Sequence, residues 1–179
     1  MSVRLNLIAA ACENMGIGKN GDLPWRLKSE MAYFTKMTTN TKNPNKQNAV
    51  IMGRVSWECI PLKFRPLSNR LNVVLTKNND LKVDDGVLTF STLESAVEKL
   101  NSLDNIEKIW VIGGSYVYKS AMESEYPCRL YLTKILKNFD CDTFFPEIPP
   151  TFTEITDPDV PTNTQEEKGI QFLYKVYEK

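Results

Sequence analysis

Five short apolar runs, at residues 3–11, 49–52, 71–76, 108–112 and 129–135, constrain this chain more than any other feature. Each is nearly continuous in apolar residues. That is the pattern of a strand buried on both faces, as in a mostly parallel sheet covered by helices. Between the runs, residues 27–37, 56–59, 92–101 and 115–122 carry helical patterning. Strands that alternate with helices imply crossover connections. The expected fold is therefore α/β: one domain over residues 1–179, with a mostly parallel central sheet flanked by helices. The tail changes character, because residues 152–156 and 170–177 alternate apolar and polar positions. These segments predict a C-terminal antiparallel edge hairpin. Residues 38–48, 77–86 and 157–169 read as polar loops, and no internal repeat or domain boundary is visible.

Composition narrows the chemistry. Lysine plus arginine and aspartate plus glutamate number 22 each, so no net field draws the chain to nucleic acid or an anionic membrane. No apolar run approaches the ~18 residues of a spanning helix, and a cytoplasmic protein is expected. Cys12, Cys59, Cys128 and Cys141 are irregularly spaced without a CxxC pair, which reads as packing thiols. Histidine is absent, which removes serine–histidine and cysteine–histidine nucleophiles, histidine bases and most protein zinc sites. No metal site is expected.

Two constellations remain. Leu27, Glu30, Met31, Phe34 and Met37 fall at i, i+3, i+4, i+7 and i+10, so Glu30 lies in the stripe expected to face inward. A buried, unpartnered carboxylate costs several kcal/mol, so it takes up a proton or meets a cationic, hydrogen-bonding ligand such as an amidine-like ring edge. The alternative is an acid near a helix N-terminus that points to water. Periodicity alone leaves both open.

The second is Trp110-Val-Ile-Gly-Gly-Ser-Tyr-Val-Tyr118, an apolar strand that opens through Gly113-Gly114 directly into a helix. Glycines admit close approach, and a helix N-terminus offers free N–H groups to a diphosphate. A tight turn that binds nothing is the other reading. Neither GxGxxG nor Walker A spacing is present. In a parallel sheet Gly53-Arg54, Thr76-Lys77 and Gly113-Gly114 would emerge at one edge and gather around one phosphate-bearing molecule. Each cation alone also reads as a solvated surface charge.

These residues resemble a known family. Asn14-Met-Gly-Ile-Gly-Lys-Asn-Gly-Asp-Leu-Pro-Trp25, Val50-Ile-Met-Gly-Arg54, Ile60-Pro61, Arg65-Pro-Leu67, Arg70, Val111-Ile-Gly-Gly-Ser115, Asp142-Thr-Phe-Phe-Pro146 and the tail Gln165-Glu-Glu-Lys-Gly169 look like dihydrofolate reductase. Order and spacing match along nearly the whole chain, and the tail looks like the animal-type enzymes. The spacing between Trp25 and Glu30, one residue shorter than in vertebrate-like members, implies a non-vertebrate source.

The resemblance implies NADPH-dependent reduction of dihydrofolate to tetrahydrofolate, with hydride passing to the pterin carbon beside N5 and water protonating N5. This serves one-carbon metabolism and thymidylate synthesis. It implies that Glu30 binds the pterin 2-amino group and ring nitrogen with Thr133 beside it, and that Trp25 holds an ordered water. Met31, Phe34, Ile60, Leu67, Ile8 and Ile112 would line the substrate pocket, with Arg70 on the α-carboxylate of the glutamate tail. Ala10 and the loop of Gly16, Ile17, Gly18, Lys19, Asn20, Gly21 and Asp22 would lie near the nicotinamide. Arg54, Val55, Ser56, Gly113, Gly114, Ser115, Tyr116, Val117 and Tyr118 would cradle phosphates, with Thr76 and Lys77 at the adenosine end. Val55 stands where animal members commonly carry a basic residue, which bears on the preference for NADPH over NADH. Met31 stands where an aromatic residue is common, which implies a softer pocket wall for antifolate inhibitors. A monomer with a small-molecule substrate and no nucleic-acid partner is expected. A same-fold reductase of a pyrimidine riboside, or a folate- or nucleotide-binding module without turnover, are the rival readings; intact Trp25, Glu30 and Arg70 argue against them.

Overall fold

The computed structural model describes residues 3–78 and 80–179. Met1, Ser2 and Asn79, the last inside the loop expected at 77–86, lie outside the described residues. The apolar runs become β1 (Leu5–Ala11), β3 (Gln47–Gly53), β4 (Arg70–Leu75), β6 (Ile106–Val111) and β7 (Cys128–Ile135). Short strands β2 (Gly16–Gly18), β5 (Leu88–Phe90), β8 (Thr143–Phe144), β9 (Thr153–Ile155) and β10 (Gln165–Glu167) join them, with β11 (Ile170–Glu178) last. The main sheet runs β10-β11-β7-β1-β6-β3-β4-β5, and β9 pairs with β11. Strands from β7 to β5 along this order are parallel, whereas β9, β10 and β7 all meet β11 antiparallel. The α/β class with an antiparallel C-terminal edge is what the chain adopts.

Consecutive apolar positions arise because helices cover both faces. Leu5, Leu7, Ala49, Ile51, Val73, Ile109, Leu130 and Leu132 pack with α3 (Leu93–Asn101) and α4 (Ser115–Glu123). Their neighbours Ile8, Val50, Met52, Val74, Trp110 and Tyr131 pack with α1 (Lys28–Thr39) and α2 (Arg54–Cys59) on the other side. Thr92 caps α3 by accepting the Ser95 N–H at 3.1 Å, as its sequence suggests.

Three expectations change. The segment expected as a loop at 157–169 contains β10, which turns into β11 through Lys168 and Gly169, both at positive φ (53° and 75°), the requirement of a two-residue hairpin turn. The edge is therefore two strands pairing with successive halves of β11, rather than one hairpin. The three-residue strands β2, β5 and β10 are too short to show periodicity. Finally, α1 buries Glu30, Tyr33 and Thr38, while Met31 is 47% exposed. The inward stripe of α1 is rotated off Met31, because Tyr33 stacks on Tyr174 of β11 at 4.0 Å between ring centroids and fixes which face turns to the sheet.

Candidate active site

The carboxyl ends of β1, β3, β4 and β6 open on one edge of the sheet, where α/β folds hold ligands. Glu30 stands beside this edge in the first turn of α1, only 5% exposed. Thr133 of β7, also buried, donates its Oγ1 hydrogen to Glu30 Oε1 at 2.9 Å. No cation among the described residues pairs with Glu30. Burial pushes its carboxyl up from 4.5 to about 7, and the Thr133 hydrogen bond opposes that rise. Of the two sequence readings of Glu30, the inward one holds.

Arg70, at the start of β4, is the complementary buried charge. Its Nε donates to Ser68 O at 2.8 Å and its Nη1 to Thr38 Oγ1 at 2.9 Å. Burial holds its pKa below the ordinary guanidinium value, and no carboxylate among the described residues pairs with it. Thr38 and Glu30 lie on the same helix eight residues apart, about 12 Å at 1.5 Å per residue. A buried carboxylate on the first turn of α1 and a buried guanidinium bonded to Thr38 near its last turn thus mark the two ends of the helix. Between them Ile8, Phe34, Ile60, Leu67 and Ile112 belong to one apolar cluster. Trp25 packs with Cys12, Leu27 and Ala10 nearby, and its buried Nε1–H has no protein acceptor.

On the other side of the edge, Gly53 N–H donates to Gly113 O at 2.9 Å, which draws β3 and the β6–α4 turn together. A Cβ on Gly114 would stand 3.3 Å from Ser56 Oγ, and one on Gly53 would stand 3.2 Å from Val117 Cγ2. The glycines therefore form a cradle that side chains would fill. Gly53 and Gly114 are also the N-caps of α2 and α4 and offer no side-chain acceptor to the first-turn N–H groups. Arg54 pairs with Glu58 at 2.8 Å, Thr76 N–H donates to Phe90 O, and Val55, Lys77 and Tyr116 are exposed. The side chains of Val117 and Tyr118 turn into the core instead, and the Tyr118 hydroxyl donates to Ile8 O at 2.7 Å. Ser115 spends its hydroxyl on Phe144 O.

The glycine-rich loop is tethered. Gly16 and Gly18 of β2 pair with β8, and Lys19 and Asp22 bridge across a tip where Asn20 and Gly21 both have positive φ. Asp142 accepts the Asn20 N–H at 2.9 Å, Asn14 accepts the Gly16 N–H at 3.0 Å, and Lys19 pairs with Asp140 at 3.2 Å. The sequence reading assigned no role to Asn14, Thr38, Tyr33, Asp140, Asp142 or Tyr174. Asn14 and Asp142 stand at the heads of the motifs at 14–25 and 142–146, and no motif contained the other four.

A buried carboxylate and a glycine cradle at the carboxyl edge of a parallel sheet, with a buried guanidinium at the amino end of β4, define an α/β enzyme with a ligand site. The family model described as dihydrofolate reductase matches residues 4–179. The dihydrofolate reductases of Heliothis virescens and Drosophila melanogaster are each 51% identical to this chain, covering 99% of it and 98% of their own length. A solved structure, Schistosoma mansoni dihydrofolate reductase, superposes with a TM-score of 0.86 at 38% identity, covering 99% of both chains. The chain belongs to the dihydrofolate reductase family and is an oxidoreductase. These invertebrate relatives fit the expected non-vertebrate animal type. Among the described residues no helix is long and apolar enough to cross a membrane.

Proposed function

We propose that residues 1–179 act as one dihydrofolate reductase domain that reduces 7,8-dihydrofolate with NADPH. The observation that carries this is a pair of buried, opposite charges with no ionic partner among the described residues: Glu30 in the first turn of α1, and Arg70 of β4 hydrogen-bonded to Thr38, which lies about 12 Å further along that helix. A ligand that satisfies both must carry an amidine-like donor edge at one end and a carboxylate at the other, with a flat apolar body between. Dihydrofolate has this form. The Glu30 carboxylate accepts from the 2-amino group and ring N–H of the pterin, while Thr133 holds its second face by hydrogen bonding to Oε1. With a pKa of about 7, Glu30 is ionised in roughly half the molecules at neutral pH and gains charge when a donor edge arrives. Arg70 has unused N–H groups for the α-carboxylate after its bonds to Ser68 and Thr38.

For the cofactor, the cradle of Gly53, Ser56, Gly113 and Gly114 suits a diphosphate, since no Cβ blocks approach to the first turns of α2 and α4. Exposed Arg54 and Lys77 flank it, and Thr76 borders the adenosine end. NADPH when bound supplies a hydride. Ala10 and the tethered loop from Gly16 to Asp22 would lie near a bound nicotinamide and limit water there. The buried Trp25 Nε1–H orients a water near the pterin, from which N5 takes its proton. Glu30 promotes that protonation through the ring without standing as the direct donor. We place the protein in the cytoplasm as a monomer.

The test is NADPH absorbance on mixing purified protein with dihydrofolate. One NADPH consumed per dihydrofolate supports the reading. Tight binding of dihydrofolate with no consumption makes the protein a folate-binding module instead.

A further inference from the structure

Leu27, at the N-cap of α1, has no side-chain acceptor, so the first turn of this helix is closed from elsewhere. Glu167, the last residue of β10, accepts the Lys28 N–H at 2.7 Å, the Ser29 N–H at 2.8 Å and the Ser29 hydroxyl at 2.6 Å. The two N–H groups are among the four first-turn donors that lack an intrahelical partner, and an N-cap side chain would normally reach the one on Ser29. Glu30 is the next residue along, and its carboxylate meets Thr133 on the opposite side.

The partners of these two contacts are themselves joined. Thr133 of β7 lies opposite Tyr174 of β11, and β11 pairs with β10 through the tight Lys168-Gly169 turn. A closed ring results: α1 reaches β7 through Glu30 and Thr133, β7 reaches β10 through β11, and β10 returns to α1 through Glu167. Removing one link leaves the first turn of α1 held on one side only.

We propose that Glu167 is a positioning residue for Glu30: by capping α1 from the C-terminal hairpin it fixes the first turn, and so holds the Glu30 carboxylate in its buried place against Thr133. This rests on the reading of Glu30 as the group that binds the pterin edge. Nothing in the polar segment around Glu167 signals the role, because its donors stand 138 and 139 residues away.

Charge makes the cap steady through the range that matters. Hydrogen bonds from the Ser29 hydroxyl and from the Ser29 and Lys28 N–H groups hold the Glu167 carboxyl down to about 2, far below the titration of Glu30. The other titratable groups that act on or are acted on by Glu30 are Tyr33 on α1, Tyr118 on α4 and Tyr174 on β11. Burial raises all three phenols, so they stay neutral while Glu30 titrates. A change in the Glu30 midpoint therefore reports its own surroundings. A loosened first turn admits water to the carboxylate and lowers its pKa, and loss of the nearby Glu167 charge acts in the same direction.

The experiment is a titration of carboxyl-carbon-labelled glutamates by NMR in the full-length protein without ligand, with the Glu30 signal assigned by its loss in Glu30→Gln. In Glu167→Ala the midpoint is expected to fall from about 7 toward 4.5, and the Lys28, Ser29 and Glu30 amides to exchange faster. Glu167→Gln keeps an accepting oxygen and should retain most of the parent midpoint. If Glu167→Ala does not fold, Ser29→Ala, which removes one of the three donors, should move the midpoint less but in the same direction. A midpoint unchanged in the first of these that folds overturns the proposal even if amide exchange quickens, since the cap would then be purely structural. An equal fall in the Gln and Ala variants also overturns it, because charge rather than held geometry would be the cause. In turnover, kcat/KM for dihydrofolate should fall in Glu167→Ala while the KM for NADPH stays. Absence of turnover in the parent protein would refute the folate reductase reading alone, and the carboxyl titration would still decide the positioning role.

Discussion

Replacing Glu30 by Gln should make the protein more stable and stop it working. The folded carboxyl titrates at about 7, against 4.5 when exposed, and burial is the main cause. Because the folded pKa is raised, the stability associated with the protonated carboxyl is fully present below pH 4.5 and is lost as pH rises through about 7. At about 1.36 kcal/mol per pKa unit the difference amounts to roughly 3 kcal/mol above pH 8. Gln keeps the oxygen that accepts from Thr133 Oγ1 and never ionises. Urea unfolding of parent and variant should therefore coincide to within about 1 kcal/mol near pH 5 and diverge by roughly 3 kcal/mol near pH 8.5. With a slope of about 2 kcal/mol per molar urea, the variant midpoint should lie about 1.5 M higher at the upper pH. A variant less stable than the parent near pH 8.5, or a gain that does not vary with pH, would refute a desolvated Glu30. The same variant should bind NADPH normally, since the glycine cradle stands on other elements.

Three other outcomes follow from the site. Arg70→Leu should weaken dihydrofolate binding roughly 10- to 100-fold, the loss of a charge-assisted hydrogen bond worth about 1.5–3 kcal/mol, with NADPH affinity unchanged; fluorescence titration of each ligand checks this. Gly16→Ala should release the loop, because the new Cβ collides with Cys141 Sγ and stands 2.6 Å from its Cβ; turnover should fall, and adding Cys141→Gly should restore it. Val55→Lys places a cation beside Arg54 on an exposed turn and should raise the ratio of kcat/KM for NADPH to that for NADH, measured with dihydrofolate saturating.

The parallel sheet and its four helices were legible because burial on both faces writes itself into consecutive apolar letters, as at Leu5 to Ala11. The antiparallel edge was legible in the alternation along β11. What stayed hidden was set by contacts between distant segments. The rotation of α1 depends on Tyr33 meeting Tyr174, so Met31 could not be distinguished from its inward neighbours by spacing. The fate of Glu30 depends on Thr133, 103 residues away, and its periodicity left both readings standing until that contact was known. β2 and β8 have three and two residues, too few to carry a pattern, and they exist because each pairs with the other. Motif resemblance reached further than periodicity, since it named Glu30, Thr133 and Arg70 together, but it gave no role to Thr38, which bonds Arg70, or to Glu167, which closes the first turn of α1.

The most direct test of the central claim is a single turnover with NADPH carrying deuterium at the transferable position of the nicotinamide, followed by mass and NMR analysis of the pterin. The account predicts tetrahydrofolate with one deuterium on the carbon beside N5 and solvent hydrogen on N5, formed by the parent protein and scarcely by Glu30→Gln. Pterin recovered unlabelled and unreduced from the parent protein would contradict it.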